Sequence, residues 1–212
     1  ADNLLWHARR QRLEGEELRD AALQIAGDLN LRMFGPSAQP ELPQVLADNR
    51  YGWDPDKNVE DRDRRSVYVL AKRNMRLPLL QAFDQPDMLN SCPCRTNTTT
   101  APQALEMLNG ESTAAAARQW GGKLLSQCGD DVAKIVREAY TDAYGRAPKD
   151  SEVKTAEQFV DQQTAELSIE SAALAENQLP IPMPKKINRA RAAAVVDFCH
   201  AVLCSNEFLY VD

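Results

Sequence analysis

Apolar residues recur at three- and four-residue spacing along much of the chain, and this period predicts amphipathic helices. The first stripe begins at Leu18 and reaches Leu29, before the helix-breaking pair Gly35-Pro36. The last stripe runs from Ala192 to Leu203 and is nearly unbroken on its inner side. Strand-like segments do not alternate with these helices, so the pattern predicts a mainly α-helical fold.

A capping signal marks a further helix near the middle of the chain. Thr100 followed three residues later by Gln103 is the pattern of a capping box. The spacing predicts that Leu105 and Leu108 point inward, and Asn109-Gly110 predicts a left-handed exit from the helix.

Three more helices follow in the second half. Residues 112–120 predict one that breaks at Gly121-Gly122. A second begins at Asp130-Asp131 and ends at Gly145, and a third begins at Asp150-Ser151. Acidic residues at the starts and glycine at an end agree with the helix macrodipole and with left-handed C-terminal caps.

The segments between the helices are long. Residues 36–63 are rich in proline and acids, and we expect Tyr51 and Trp53 to pin this irregular stretch to the body. Residues 66–70 predict either a short strand or one helical turn. We therefore expect a single, irregular all-α domain over residues 1–212, with long loops and one short strand or hairpin.

Composition narrows the classes of function. Charged residues make up 26% of the chain and the net charge is −6, which argues against a nucleic-acid partner, because phosphate binding needs a clustered basic excess. The arginines near residues 9–12 and 62–65 alternate with acids, a pattern typical of a solvated face. No apolar run reaches the roughly 18 residues of a membrane-spanning helix.

The loop before the predicted helix at Thr100 carries two of the five cysteines, Cys92 and Cys94. Structural zinc favours four ligands with two to four residues between paired members, and this spacing does not match, so we predict no metal site. A disulfide that links Cys92 or Cys94 to Cys128 is one alternative if the protein is exported. A strained local disulfide and two free thiols are the others.

The same loop continues as Arg95, Asn97 and a run of threonines. Guanidinium, amide and hydroxyl groups at a helix N-terminus can bind an anion or a sugar. Such side chains also commonly bond local backbone, and the sequence favours that second role.

The sequence predicts no catalytic residue. The two histidines, His7 and His200, lie in no nucleophile–base motif, and there is no glycine-rich phosphate loop. Cys199-His200 lacks the second cysteine of a covalent haem motif. We therefore expect no cofactor in this chain.

Five blocks, in order, resemble a known family. They are RRQRLEGEELRDAAL (9–23), RRSVYVLAKRN (64–74), LLQAFDQPD…CPCRTNTTTAPQALEMLN (79–109), AYTDAYGRAP (139–148) and NEFLYVD (206–212). Together they resemble the PSD domain of unknown function at the C-terminus of planctomycete-type proteins that often carry a cytochrome-c-like domain.

The resemblance implies an exported parent, periplasmic or at the cell surface, with haem ligands in another domain. It also implies that this chain is the C-terminal two-thirds of the PSD domain. Signature residues of the family that match here include Arg64, Arg65, Asp84 and Gln103, and they join Arg95 and Asn97 as candidate binding residues.

Our leading hypothesis is a non-catalytic interaction module that docks its own upstream segment and the cytochrome-like domain of the same parent. The alternative is a carbohydrate-acting enzyme or glycan-binding subunit, which requires Arg95, Asp84 and Asn97 to line one cleft with a pair of carboxylates. A third hypothesis is metal storage or redox sensing through Cys92 and Cys94.

Overall fold

The computed structural model describes residues 10–43, 46, 52–169 and 174–211. These residues are mainly α-helical, as predicted. Their helices are α1 (Gly15–Ala26), α2 (Val59–Arg62), α3 (Pro78–Ala82), α4 (Ala101–Asn109), α5 (Glu111–Cys128), α6 (Val132–Tyr144), α7 (Asp150–Ile169), α8 (Arg189–Leu203) and α9 (Asn206–Leu209). Two 3₁₀ turns cover Ser66–Tyr68 and Glu176–Gln178. No helix within the described ranges is long and apolar enough to span a membrane.

The chain divides into two compact units. Among the described residues, the first unit takes in those up to Gln24, Asp28–Ser112 and those from Leu209 onward. The second takes in Ile25–Gly27 and Thr113–Phe208. The single domain over residues 1–212 stays a prediction, since this division describes compactness and not independent folding.

A two-stranded antiparallel ribbon in the first unit joins segments from the two ends of the chain. Strand β1 (Gln11–Arg12) pairs with β2 (Tyr210–Val211), in the register Gln11↔Val211 and Arg12↔Tyr210. A short two-stranded pairing is therefore present, as the predicted fold class allowed, but it lies at residues 11–12 and 210–211 and not at residues 66–70.

The long irregular segment packs through a small apolar core. Trp53 is fully buried with Leu42, Met75, Leu77 and Leu80, and its indole Nε1 donates to the carbonyl of Pro40 at 2.7 Å. Trp53 anchors the segment as predicted.

Two further expectations concern the segment around that core. Tyr51, the other predicted anchor, lies outside the described residues. The run at residues 66–70 contains the 3₁₀ turn, so it forms a helical turn rather than a strand.

The second unit is built on α8, which the sequence predicted with its inner face correctly assigned. Small side chains, Ala192, Ala193 and Ala194 among them, are buried here with Val195 and Cys199. Asp131 caps α6 by accepting from the amide of Lys134 at 3.0 Å. Gly145 ends that helix in the left-handed conformation, with φ of 65°.

The predicted break at Gly121-Gly122 is wrong, because α5 continues through both glycines. A Cβ on Gly122 would overlap the carbonyl of Ile181, and a Cβ on Gly121 would lie 3.1 Å from a methyl of Val196. The glycines therefore serve close packing rather than helix termination.

The predictions for α4 are partly wrong. Leu105 and Leu108 are 56% and 57% exposed, whereas Met107 and Gln103 are buried. Gly110 has φ of −67° and ψ of 130°, so it is extended rather than left-handed. Because α5 starts at the next residue, the chain needs one extended link between two helices.

Candidate functional site

Three of the predicted binding residues, Asp84, Asn97 and Gln103, meet around Arg12. Arg12 Nη2 lies 2.7 Å from Asp84 Oδ2, and Arg12 Nε donates to Asn97 Oδ1 at 2.9 Å. Thr98 completes this group, which we call the Asp84 cluster (Arg12, Asp84, Asn97, Thr98 and Gln103). It joins β1, the end of α3 and the loop before α4.

Asp84 is the common acceptor of the cluster. Its carboxylate accepts from the Thr98 amide at 2.9 Å and from the Thr98 hydroxyl at 2.8 Å, and Gln103 Nε2 lies at 3.4 Å. Burial opposes ionisation, but the two Thr98 bonds and the charge of Arg12 outweigh it and lower the pKa of Asp84. Asp84 also has φ of 64°, a left-handed conformation that aspartate tolerates better than most residues.

Gln103 carries out the predicted capping role. Its Oε1 accepts from the amide of Thr100 at 3.0 Å, while its Nε2 donates to the carbonyl of Ala82 at 3.1 Å. One buried amide side chain thus ties the start of α4 to the end of α3.

Arg12 is the member of the cluster that sequence reasoning missed. The alternation of arginines and acids near the N-terminus predicted a solvated face, yet Arg12 is 5% exposed. Its guanidinium lies 4.9 Å from the ring centroid of Phe83. Strand β1 directs the Arg12 side chain inward, because successive side chains of a strand point to opposite faces. The alternation of charges in the sequence does not contain this information.

Arg95 does not join Asp84 and Asn97 in one cleft, as a glycan site would require; it pairs with two glutamates instead. Its Nη1 lies 2.6 Å from Glu14 Oε2 and 2.9 Å from Glu16 Oε2, at the start of α1. The hydrogen bond to Glu16 is the main cause that raises the pKa of Arg95. Burial opposes the ionisation of Glu16, but the hydrogen bond from Arg95, a backbone hydrogen bond and the charge of Arg95 together lower the pKa of Glu16. Arg95 thus anchors the loop to α1.

Arg64 belongs to another part of the first unit and is 1% exposed. Its guanidinium lies 4.2 Å from the ring centroid of Tyr68. It donates to the carbonyls of Arg32 at 3.3 Å, Pro36 at 2.8 Å and Phe34 at 2.6 Å. The side chain therefore shapes the loop over residues 32–36.

Arg65, by contrast, is 56% exposed at its side chain, and its Nε lies 3.6 Å from Asp20 Oδ2. The predicted binding residues thus separate into three groups: the Asp84 cluster, the Arg95 anchor and the Arg64 region.

The loop held by Arg64 carries exposed apolar side chains. Leu31 and Met33 are each 64% exposed, Phe34 is 76% exposed, and Val67 on the neighbouring 3₁₀ turn is 73% exposed. The amide of Phe34 donates to the hydroxyl of Tyr68 at 3.3 Å, which ties the two segments together. We call these four side chains the Phe34 patch.

The backbone of Phe34 is unusual. Its φ is 62°, and a bulky residue in this region is a genuine outlier that surrounding structure must maintain. This surface could not be predicted from the sequence, because its apolar residues follow no helical or strand period.

The cysteines of the predicted disulfide are free thiols in the structure. Cys92 and Cys94 are exposed and Cys128 is half-buried. The disulfide that would join Cys128 to one of the others stays a prediction. Among the described residues, no group of three or more His, Cys, Asp or Glu side chains is placed to hold a metal.

The Asp84 cluster is arranged as a clamp rather than as an open site. Each polar side chain in it is hydrogen bonded to another member, and Arg12 and Gln103 are buried. The one carboxylate already accepts several bonds, which leaves it poorly suited to proton transfer. This geometry fixes three segments relative to each other.

The sequence of this chain matches the model of a known protein family. The sequence model of PSD1, described as a protein of unknown function (DUF1553), matches residues 1–160. No curated protein and no solved structure matches the chain.

Proposed function

Because the chain belongs to the PSD1 family of proteins of unknown function, we propose that it is a non-catalytic interaction module. In this proposal it is part of an exported multidomain protein, at the cell surface or in the periplasm. It docks the cytochrome-like redox domain of the same parent through the Phe34 patch.

The observation that carries this proposal is the Phe34 patch itself. Four large apolar side chains are exposed on two segments that the hydrogen bond between Phe34 and Tyr68 joins, and exposed apolar surface that forms a patch is typical of interaction sites. Aromatic and methionine side chains are enriched in the centres of protein interfaces. Phe34 and Met33 supply both kinds.

The way the patch is held also supports docking. Arg64 fixes the carbonyls of Arg32, Phe34 and Pro36 by three hydrogen bonds. A loop fixed before binding loses little conformational entropy when a partner arrives. The left-handed backbone of Phe34 lowers stability. A binding role for the exposed ring would explain why this conformation is kept.

The glycan alternative receives less support. Glycoside chemistry needs two carboxylates available to the substrate. Asp84 is occupied by Arg12 and Thr98, while Glu14 and Glu16 are paired with Arg95.

The test is a calorimetric titration of this chain with the cytochrome-like domain of its parent, which measures the dissociation constant of the complex. In the variant Phe34→Asn the aromatic ring is lost, while asparagine tolerates the left-handed backbone better than phenylalanine. Burial of one phenylalanine contributes about 2 kcal/mol, so the dissociation constant should rise by about 30-fold.

The matched control is Leu108→Asn, which removes an apolar side chain of comparable exposure on α4 of the same unit. The control should bind like the wild type. Equal binding by the Phe34 variant and the wild type, or a wild type that does not bind at all, would refute the proposal.

A further inference from the structure

The cysteines fall into two chemical groups. Burial is the main cause that raises the pKa of Cys128 and Cys199, and it raises the pKa of Cys204 to about 11. Thiols of that kind are weak nucleophiles at neutral pH, because the thiolate is the reactive form. Cys92 and Cys94 are instead exposed to solvent.

The backbone between Cys92 and Cys94 is bent, and the Cys92 thiol lies close to the backbone of Cys94. The chain bends at Pro93 and Cys94, and Cys92 Sγ lies 3.3 Å from the carbonyl oxygen of Cys94. Two residues of fully extended chain span about 7 Å at most, and a bend shortens this toward the Cα separations found in disulfides. Proline fixes one backbone angle of the connection.

The surroundings of the pair contain a fixed positive charge. Cys94 Sγ donates to the carbonyl of Arg95 at 3.6 Å, and the guanidinium of Arg95 is held by Glu14 and Glu16. After the Glu16 bond, smaller charge interactions, one of them with Cys92, also raise the pKa of Arg95. The two carboxylates outweigh the single positive charge of Arg95, so the proposal for this pair is based on the exposure of both thiols and on their closeness along a bent backbone.

We propose that Cys92 and Cys94 form a reversible dithiol–disulfide pair that exchanges with small-molecule disulfides. This inference is independent of the docking proposal, since neither cysteine belongs to the Phe34 patch. The oxidant is a disulfide of the class of glutathione disulfide.

The exchange proceeds in two balanced steps. One cysteine thiolate attacks a sulfur of the oxidant, so a mixed disulfide forms and one small thiolate leaves. The second cysteine, as thiolate, attacks the sulfur of its neighbour in the mixed disulfide and expels the second small thiolate. The two cysteines lose two electrons and two protons, and the oxidant is reduced to two thiols.

A local ring of this size constrains the loop, and strained or exposed disulfides are the easily reduced ones. We therefore expect the bond to reopen under mild dithiothreitol without unfolding of the protein. We expect the thiols of Cys128, Cys199 and Cys204 to stay reduced throughout.

The experiment treats the native protein with excess glutathione disulfide, removes the reagent and counts thiols that react rapidly with Ellman's reagent. The rapid count should fall from two per chain to none. Trypsin leaves both cysteines in one peptide, residues 77–95, because no lysine or arginine lies between Arg76 and Arg95. That peptide should lose the mass of two hydrogen atoms and carry no glutathione.

The matched variants are Cys92→Ser and Cys94→Ser. Each should stop at the first step and retain one glutathione on the remaining cysteine. The variant Cys199→Ser is the control and should behave like the wild type. An unchanged rapid count, persistent glutathione on the wild type, or a disulfide between the 77–95 peptide and Cys128 would each overturn the proposal.

Discussion

Replacing the buried Arg64 by methionine should lower the free energy of unfolding by about 3 kcal/mol. The guanidinium binds the carbonyls of Arg32, Phe34 and Pro36, and it is 1% exposed. Methionine has a similar length and fills most of the space, so the main loss is hydrogen bonding.

The magnitude follows from the three carbonyls. A buried polar group without a partner costs about 1–3 kcal/mol. Arg32, Phe34 and Pro36 lie in an exposed loop, so water can reach their carbonyls after a small shift, and the low end of that range applies to each. Contact between the Arg64 guanidinium and Tyr68 adds about 0.5–2 kcal/mol, which the apolar contacts of methionine offset.

The variant Arg64→Lys separates charge from geometry. A lysine ammonium is a point donor that cannot reach three divergent carbonyls as a planar guanidinium does. We expect it to keep one bond and lose about 2 kcal/mol. An effect of the same size as that of methionine would instead mean that the positive charge contributes nothing.

The assay is urea unfolding, monitored by tryptophan fluorescence, in which Trp53 of the same unit contributes, and by far-ultraviolet circular dichroism, with the slope fitted for each variant. The control is Arg32→Met, because that side chain is 52% exposed and pairs with Asp61 at the surface. Surface pairs of this kind contribute less than about 1 kcal/mol. If Arg64→Met costs no more than Arg32→Met, the interpretation of Arg64 as the organiser of the loop is refuted.

Two further predictions concern the other ion pairs. Asp84→Asn keeps the shape and one acceptor but leaves the buried Arg12 without its counter-charge, so unfolding should become easier by about 3 kcal/mol, while Glu16→Gln at the surface should cost less than about 1 kcal/mol in the same urea assay. Equal losses would contradict the burial argument. The bond from Arg146 lowers the pKa of Glu152 to about 2, so the ionised Glu152 stabilises the fold above its ordinary pKa near 4.5, and this stabilisation is lost as the pH falls from there toward 2. In Glu152→Gln the melting temperature of the second unit should therefore depend less on pH over that window. A variant whose melting temperature falls with pH as steeply as that of the wild type would contradict this role of Glu152.

Local signals predicted the helices well. Gln103 caps α4, Asp131 caps α6 and Gly145 ends it, because each of these roles depends on residues within a few positions of each other. The inner face of α8 also follows from sequence, since nearly all of its residues on that side are apolar.

Tertiary contacts account for the errors. Leu105 and Leu108 have the spacing of an inner face, but Gln103 and Met107 occupy the buried positions of α4. The glycine pair of α5 resembles a break until the close approach of Ile181 is known. Period and propensity describe a segment in isolation, and neither contains the identity of the neighbour.

The candidate site divides along the same line. Asp84, Asn97 and Gln103 were predicted as binding residues and do meet, although a binding role for them stays a prediction. Arg12, the side chain that joins Asp84 to Asn97, was missed because burial of an arginine depends on remote partners. The Phe34 patch was also missed because its exposure depends on a remote residue, Arg64. Nothing in a short apolar run tells whether a remote arginine will hold it outward.

Buried arginines explain how the first unit keeps long irregular segments ordered. A helix satisfies its backbone groups internally, whereas an irregular loop must find other partners for them. Arg64 supplies donors to three loop carbonyls, and Arg19 donates to the carbonyls of Arg62 at 2.8 Å and Arg64 at 2.9 Å. Five donors in one planar group make arginine the side chain best suited to this task. Arg64 and Arg19 therefore act on the backbone. If the docking proposal is correct, loss of Arg64 should weaken binding of the cytochrome-like domain through the shape of the loop that presents Phe34.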